Sequence, residues 1–201
     1  SCTRETPPTP TADLSAVRER LAFPLDLPTP TLINGATSRL EGAQVTPVRL
    51  DLLPGLSVGA ALWTPDRPSG AGVVVAHGHF GQARSAAETQ EIAHQLARQG
   101  ALVVAIDTPG MEQGDRADNE IHLDPGGAHG RGYLLAGGTN AMALQVALLR
   151  VGLDLLEQRG ATRLGVTGAS GGGVQAFYLA LADDRVRAVA LAAFPPLPRE
   201  A

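Results

Sequence analysis

A serine flanked by glycines is the first candidate for chemistry in this 201-residue sequence. Residues 168–172 are Gly-Ala-Ser-Gly-Gly, which fits the pattern G-x-S-x-G. They lie between an apolar run that ends at Thr167 and a segment whose composition predicts a helix from near Gly171. Such glycines permit a sharp turn that exposes the serine hydroxyl at the carboxyl edge of a sheet, beside a helix N-terminus. The pattern predicts Ser170 as the nucleophile of an acyl-transfer reaction.

An acyl-transfer site also needs backbone N–H donors directed at the developing oxyanion. Gly171 follows the serine and would supply one of them. The second is expected from a loop after an earlier strand, and here the run 73–76 is followed by His77-Gly78-His79-Phe80. The backbone at His79 or Phe80 is therefore predicted to complete the oxyanion hole. The imidazoles of His77 and His79 are interpreted as ordinary loop side chains.

Hydrophobic alternation predicts an antiparallel hairpin near the N-terminus. Apolar residues alternate with polar ones over 48–52 and again over 58–62, and Pro54-Gly55 between them is typical of a turn. Later apolar runs are continuous and rich in β-branched residues, which indicates parallel strands buried on both faces. These runs are Val73–Ala76, Ala101–Ile106, Leu164–Thr167 and Val186–Ala193.

Helical patterns separate these runs. The first helix is predicted to start with a capping box of Ser85 and Glu88, to bury Ile92 and Leu96, and to end at Gly100. Others are expected between Thr139 and Gly160 and after Ser170. We therefore expect an α/β fold with a doubly wound, mostly parallel sheet and an N-terminal antiparallel hairpin. The segment 107–138 shows no hydrophobic periodicity, which predicts a long loop. Loops of this length in a compact domain usually have a function.

Together these segments resemble the α/β-hydrolase superfamily, and more closely its acetyl xylan esterase and dienelactone hydrolase-like branch. The resemblance covers roughly residues 45 to 194 and rests on five segments, His77-Gly78-His79, 106–110, the helix around 148–156, 163–173 and 181–186. It implies a serine hydrolase that cleaves a carboxylic ester through an acyl-enzyme, without cofactor or metal. A small-molecule or carbohydrate ester is the expected substrate, and the polar segment 107–138 favours acetylated sugars over long acyl chains.

The sequence departs from this family in its missing triad partners. Family members place the acid and the histidine after the serine. Here all five histidines precede Ser170, and the only later carboxylates are Asp183, Asp184 and Glu200. We therefore expect residues 13–201 to be the N-terminal major part of one incomplete hydrolase domain, truncated before its acid and base. Such a fragment would be inert or nearly so on its own.

The N-terminal residues predict a tether. Residues 1–12 are polar and proline-rich, and they contain Cys2, the only cysteine. This start resembles a processed bacterial lipoprotein whose cysteine carries the lipid anchor, which would place the protein in the cell envelope or outside the cytoplasm. The alternative is a free thiol on a disordered terminus of a cytoplasmic protein.

Composition excludes other classes of protein. The 16 basic residues, all arginine, are outnumbered by 20 acidic ones, giving a net charge of −4. No basic stripe suits nucleic acid, and no apolar run approaches the ~18 residues of a membrane span. The absence of lysine excludes chemistry that requires one.

Three alternatives remain open at this point. Residues 167–173 also resemble the glycine-rich turn of NAD(P)-dependent short-chain dehydrogenases, although Val174 stands where a further glycine is expected. A metal hydrolase could use His77 and His79 with His122 and His129, although Gly81-Gln82 replaces the expected aspartate. A non-catalytic binding module on a degenerate hydrolase fold shares every feature except the missing partners.

Overall fold

The computed structural model describes residues 26–53, 56–78, 82–108 and 141–193. The predicted tether with Cys2, the turn at Pro54-Gly55, and His79 and Phe80 lie outside these ranges. So do residues 109–138 of the long predicted loop. Within the described ranges, eight strands form a single sheet. They are β1 Thr31–Asn34, β2 Ser38–Leu40, β3 Ala43–Leu53, β4 Leu56–Pro65, β5 Ala71–Ala76, β6 Leu102–Ile106, β7 Arg163–Ala169 and β8 Val186–Ala192.

The sheet is mixed, and its two halves follow the two sequence patterns. The strand order is β1-β3-β4-β6-β5-β7-β8, with β2 also paired to β3. Strands β6, β5, β7 and β8 run parallel to one another. The pairs β1-β3, β3-β4 and β4-β6 are antiparallel. The predicted hairpin is confirmed as β3 and β4, in a register that pairs Val48 with Ala60 and Leu50 with Val58.

Three helices in the described part of the chain cover the two faces of the sheet. They are α1 Ala87–Arg98, α2 Ala141–Gln158 and α3 Gly171–Ala182. The larger core joins α2 and α3 to the sheet face that contains Val74, and the smaller one joins α1 to the opposite face, through Val75. The doubly wound α/β expectation is confirmed. No helix among these is long and apolar enough to cross a membrane.

The predicted start and buried face of α1 are partly wrong. Ser85 belongs to a 3-10 turn, Ala83–Ser85, and the helix begins after Ala86, whose extended backbone makes no side-chain capping bond. Ile92 points away from the core and is 38% exposed. Ala93 and Ala97 are buried instead, because small side chains let the helix lie close to the sheet. Gly100 has a φ of 95° after the helix, as predicted for its end.

Strand β8 differs from the expectation of a strand buried on both faces. It pairs with β7 and lies at the edge of the described sheet. Every residue from Arg187 to Ala192 is exposed, including Val189 at 45% and Leu191 at 36%. The apolar run was correctly identified as a parallel strand, but its composition alone does not report its position in the sheet.

A cluster of ion pairs holds the far end of α3 against α2. The Arg185 guanidinium lies 2.6 Å from Asp183 Oδ2, 2.7 Å from Asp154 Oδ1 and 2.6 Å from Glu157 Oε2. Arg150 Nε approaches the same Asp183 oxygen at 3.3 Å. Asp183 is the shared acceptor, and its side chain is only 6% exposed. The cluster fixes the connection from α3 to β8.

The electrostatics of this cluster favour the charged forms. Burial by itself raises the pKa of Asp183, but hydrogen bonds from the Arg185 side chain and backbone, the charge of Arg185 and a bond from Arg150 together hold it below its ordinary value. The Asp183 hydrogen bond is also the main reason that the pKa of Arg185 is raised. A carboxyl with a lowered pKa stabilises the fold above its unfolded pKa, and this contribution is lost as the pH falls through the folded value.

We predict that Asp183→Asn lowers the free energy of unfolding by about 2 kcal/mol at pH 7, because charged hydrogen bonds to both arginines are weakened. The difference from the unaltered protein should shrink as the pH falls below about 4, because the unfolded carboxyl is then protonated and the folded one follows at its lower pKa. Urea unfolding at a series of pH values measures this difference in the free energy of unfolding. Asp66→Asn is the matched control, since its pair with Arg39 is exposed and should contribute less than about 1 kcal/mol. Equal effects of the two variants would contradict the prediction.

Candidate active site

Ser170 occupies a strained turn between β7 and α3. Strand β7 ends at Ala169, the helix begins at Gly171, and Ser170 between them has φ 54° and ψ −124°. This is backbone that an L residue rarely adopts. The side chain is exposed and makes no capping bond to the helix, while the Ser170 N–H donates to Ala192 O at 2.9 Å. The predicted strand-turn-helix arrangement around the serine is confirmed.

Two glycines allow this turn to pack directly on the end of β5. A Cβ at Gly172 would lie 2.7 Å from both the carbonyl carbon and oxygen of His77, and one at Gly168 would lie 2.8 Å from Ala76 O. Backbone atoms cannot move aside as the end of a flexible side chain can, so a larger residue at either position would displace α3 from the sheet. The requirement for glycine is therefore steric. At Gly172 it comes from the neighbouring strand, and at Gly168 it comes from the Gly172 backbone as well as from that strand.

The N-terminus of α3 presents a backbone donor beside the serine. Gly171 is the first residue of the helix, so its N–H has no acceptor within the helix. The partial positive charge of the helix terminus adds to its attraction for an oxyanion. The other predicted donors, at His79 and Phe80, lie outside the described residues. Gly78, which leads into them, is buried at the end of β5.

His77 is buried and joins two strand ends. Its Nε2 accepts a hydrogen bond from the Thr108 backbone N–H at 3.1 Å, and because that N–H can only donate, the ring proton must be on Nδ1. Nδ1 then donates to Gly78 O at 2.9 Å. From α3, Gln175 Nε2 reaches His77 O at 3.5 Å. Both ring nitrogens are engaged, so His77 has a structural role and is not poised as a base or a metal ligand.

A buried ion pair near the same edge was missed by the sequence reasoning. Arg84 binds Asp107 twice, through its backbone N–H at 3.0 Å and through a close contact from its guanidinium. The two side chains are 6% and 1% exposed. Asp107 directly follows an apolar strand, which is where functional polar groups of parallel sheets collect. The position of Asp107 directly after a strand is the sequence feature that could have identified it as a candidate functional residue.

No base or acid is brought to Ser170 by the described residues. Within them, no side chain hydrogen-bonds to its hydroxyl. His94 bonds to Glu41 O at 2.9 Å, and Asp183 lies in the ion-pair cluster at the opposite end of α3. His79, His122 and His129 lie outside the described residues. The same part of the chain contains no group of three potential metal ligands.

The dehydrogenase alternative fails on topology. A dinucleotide-binding glycine turn follows the first strand of its fold. Here the turn follows β7, after an antiparallel β3-β4 hairpin has joined the sheet. The glycines serve the close packing at Gly168 and Gly172 described above.

Comparisons with known proteins agree on the fold. A family model described as the alpha/beta hydrolase fold matches residues 73–200. Among solved structures, the chain is similar to a cold-adapted esterase from an Arctic intertidal metagenomic library, with 25% identity and a TM-score of 0.62, covering 80% of this chain and 65% of that one. Methylesterase BT1017 gives 26% identity and a TM-score of 0.67, covering 88% of this chain and 38% of that one.

A third solved structure, acetyl xylan esterase 1 from Thermoanaerobacterium sp., shares the fold at 16% identity, with a TM-score of 0.59. The match covers 88% of this chain and 55% of that one. The chain thus spans less than two thirds of each of these proteins. No curated protein is significantly similar to it in sequence. The match over residues 73–200, together with the mixed sheet and its strand-turn-helix at Ser170, shows that the chain belongs to the α/β-hydrolase fold family.

Proposed function

We propose that the protein is a carboxylic ester hydrolase in which Ser170 is the nucleophile. The observation that carries the proposal is the geometry of Ser170, an exposed serine with φ 54° between β7 and α3. Strain of this kind needs support from the surrounding structure and is concentrated at functional sites. This backbone geometry suits a nucleophile, because it holds the hydroxyl away from both the strand and the helix.

The reaction would pass through an acyl-enzyme. Ser170 Oγ attacks the ester carbonyl carbon and gives up its proton to a base, and the carbonyl oxygen becomes an oxyanion. The N–H of Gly171 would donate to that oxygen, together with the N–H of His79 or Phe80. The carbonyl then re-forms, the bond to the alcohol oxygen breaks, the base returns its proton to that oxygen, and the neutral alcohol leaves. Water attacks the acyl-serine in a second round, which releases the acid and restores the serine.

We place the proton acceptor for Ser170 outside the described residues. His77 uses both ring nitrogens to join Thr108 and Gly78, and His94 bonds to a carbonyl beside α1. Asp183 is held by two arginines at the other end of α3. A serine without a base is a weak nucleophile. Activity is therefore to be measured on the protein in its full natural length.

The comparisons support an ester as the substrate. Two of the similar solved structures, at 25% and 26% identity, are an esterase and a methylesterase. We propose short acyl esters, including acetylated sugars, because the segment 107–138 begins at the carboxyl end of β6 and is poor in aromatic and large apolar side chains. A long acyl chain would gain little from such a segment.

The first test removes the nucleophile. Ser170→Ala should lower kcat for 4-nitrophenyl acetate by a factor on the order of 10⁴ to 10⁶, because no acyl-enzyme can form. A fluorophosphonate probe should label Ser170 in the unaltered protein and fail to label the variant. Stopped-flow absorbance and peptide mass mapping give the two readouts.

Ser38→Ala is the control for this test, since Ser38 is an exposed serine on β2 and should leave both readouts unchanged. Turnover that persists in Ser170→Ala would remove Ser170 as the nucleophile. A natural-length protein that neither hydrolyses esters nor reacts with the probe would favour the non-catalytic binding module.

The second test concerns the acyl group. For 4-nitrophenyl esters, kcat/KM should fall by roughly tenfold or more from acetyl to decanoyl, because the segment 107–138 offers few large apolar side chains to the added methylenes. The leaving group is the same throughout the series, so its reactivity cancels. A higher kcat/KM for decanoyl than for acetyl would contradict the proposed substrate class.

A further inference from the structure

A glutamine is completely buried in the second turn of the helix that follows the serine. Gln175 lies on the inner side of α3, five residues after Ser170, and is 0% exposed. Its neighbours on that side, Ala176 and Leu179, are apolar members of the larger core. Glutamine is mostly an exposed residue in folded proteins. Its place in this core therefore calls for a physical explanation.

The two ends of the Gln175 amide differ in their partners. Nε2 donates to His77 O, directly after β5, at 3.5 Å. Oε1 is buried and accepts no hydrogen bond from the part of the chain that the structure describes. Such an oxygen has lost its hydration without replacement, which costs stability. A leucine of similar size would avoid that cost, so packing alone does not account for a glutamine here.

His77, the partner of this amide, is itself fixed in place. Its ring accepts the Thr108 N–H at 3.1 Å and donates to Gly78 O at 2.9 Å, which ties the ends of β5 and β6 together. A Cβ at Gly172 would lie 2.7 Å from the same His77 carbonyl oxygen. Gly172 and Gln175 are three residues apart, on one side of α3. Two successive turns of the helix thus meet one carbonyl, the first by close packing and the second through a donor.

The first turn of α3 connects this contact to Ser170. The Val174 N–H donates to Ser170 O at 3.2 Å, which joins the serine to the helix. On the other side, the Ser170 N–H donates to Ala192 O at 2.9 Å. The distance of α3 from β5 therefore determines where Ser170 Oγ and the Gly171 N–H lie. A displacement of about 1 Å in a catalytic group is enough to cost roughly 100-fold in rate.

We propose that Gln175 is a positioning residue for ester hydrolysis, whose hydrogen bond to His77 O seats the first turns of α3 and with them Ser170. This inference rests on the proposed function. The Gln175 side chain is buried and does not touch substrate; it acts through the helix. Close packing at Gly172 limits how near α3 can come to the end of β5, and the Gln175 donor limits how far it can move away. A hydrogen bond also fixes direction, which apolar packing does not.

Gln175→Leu removes the donor and keeps a side chain of similar size. In the natural-length protein, kcat for 4-nitrophenyl acetate should fall by roughly tenfold or more, because the serine is misplaced, while KM changes by less than about twofold. Labelling of Ser170 by the fluorophosphonate probe should slow by a similar factor. The thermal midpoint of unfolding should stay within about 3 °C of the unaltered value or rise, because the unpaired oxygen is also removed.

Gln175→Glu keeps the shape of the side chain and makes the donor depend on pH. A protonated carboxyl has an O–H that can donate to His77 O, whereas an ionised one can only accept. Burial raises the pKa of a carboxyl, to as high as about 8–9 in known cases. The kcat of this variant, divided by that of the unaltered protein at the same pH, should therefore fall as the pH rises from about 6 to about 9.

Gln90→Leu is the matched control for the loss of an amide donor. Gln90 makes the same kind of bond, to Arg84 O at 2.7 Å, but from α1 on the opposite face of the sheet. This variant should leave kcat and the labelling rate of Ser170 unchanged. An equal loss of kcat in Gln90→Leu and Gln175→Leu would show that the effect is not specific to the seat of α3, and would contradict the inference.

Other results would also overturn the inference. An unchanged kcat in a folded Gln175→Leu protein would do so, and so would a loss carried mainly by KM. If Gln175→Leu does not fold, Gln175→Glu decides alone, and a relative kcat that is the same at both ends of the pH range rejects the role. Absence of esterase activity and of Ser170 labelling in the unaltered protein would instead overturn the proposed function itself.

Discussion

The close approach of α3 to the end of β5 is the constraint on which the site depends. Gly172 lies against the His77 carbonyl and Gly168 against Ala76 O, with no space for a Cβ at either position. This contact seats the helix N-terminus at the sheet edge and holds Ser170 in its positive-φ backbone between them. Because β5 and β7 are parallel neighbours, their carboxyl ends meet at the same edge. His77 and Gly78 after β5 therefore lie at the same sheet edge as Ser170 after β7.

Sequence reasoning succeeded where local pattern and geometry coincide. Alternation over 48–52 and 58–62 identified the β3-β4 hairpin, because the face that both strands turn to the larger core takes apolar residues with a period of two. The turn at Ser170 was recognisable from the G-x-S-x-G pattern itself, although the packing against β5 that requires Gly168 and Gly172 is visible only in the fold. Gly100 likewise marked the end of α1 through its positive φ. Each of these features is determined largely by a few consecutive residues.

The failures arose where tertiary contacts decide the outcome. Ile92 was expected in the core, but close packing of α1 selects the alanines at 93 and 97. The burial of β8 depends on its place in the sheet, which its apolar composition does not encode. Arg84 and Asp107 are 23 residues apart in sequence, and only the fold brings them together. Their pairing could not be read from spacing, although the position of Asp107 after a strand was a usable signal.

The most direct test of the account is to locate the acyl group during turnover. The natural-length protein would be mixed rapidly with 4-nitrophenyl acetate, quenched in acid during the initial burst and mapped by peptide mass spectrometry. The account predicts one acetyl group, carried by the peptide that contains Ser170, which appears with the burst and decays as the acid is released. An acetyl group on another residue, or turnover with no acylated peptide in the burst, would contradict it.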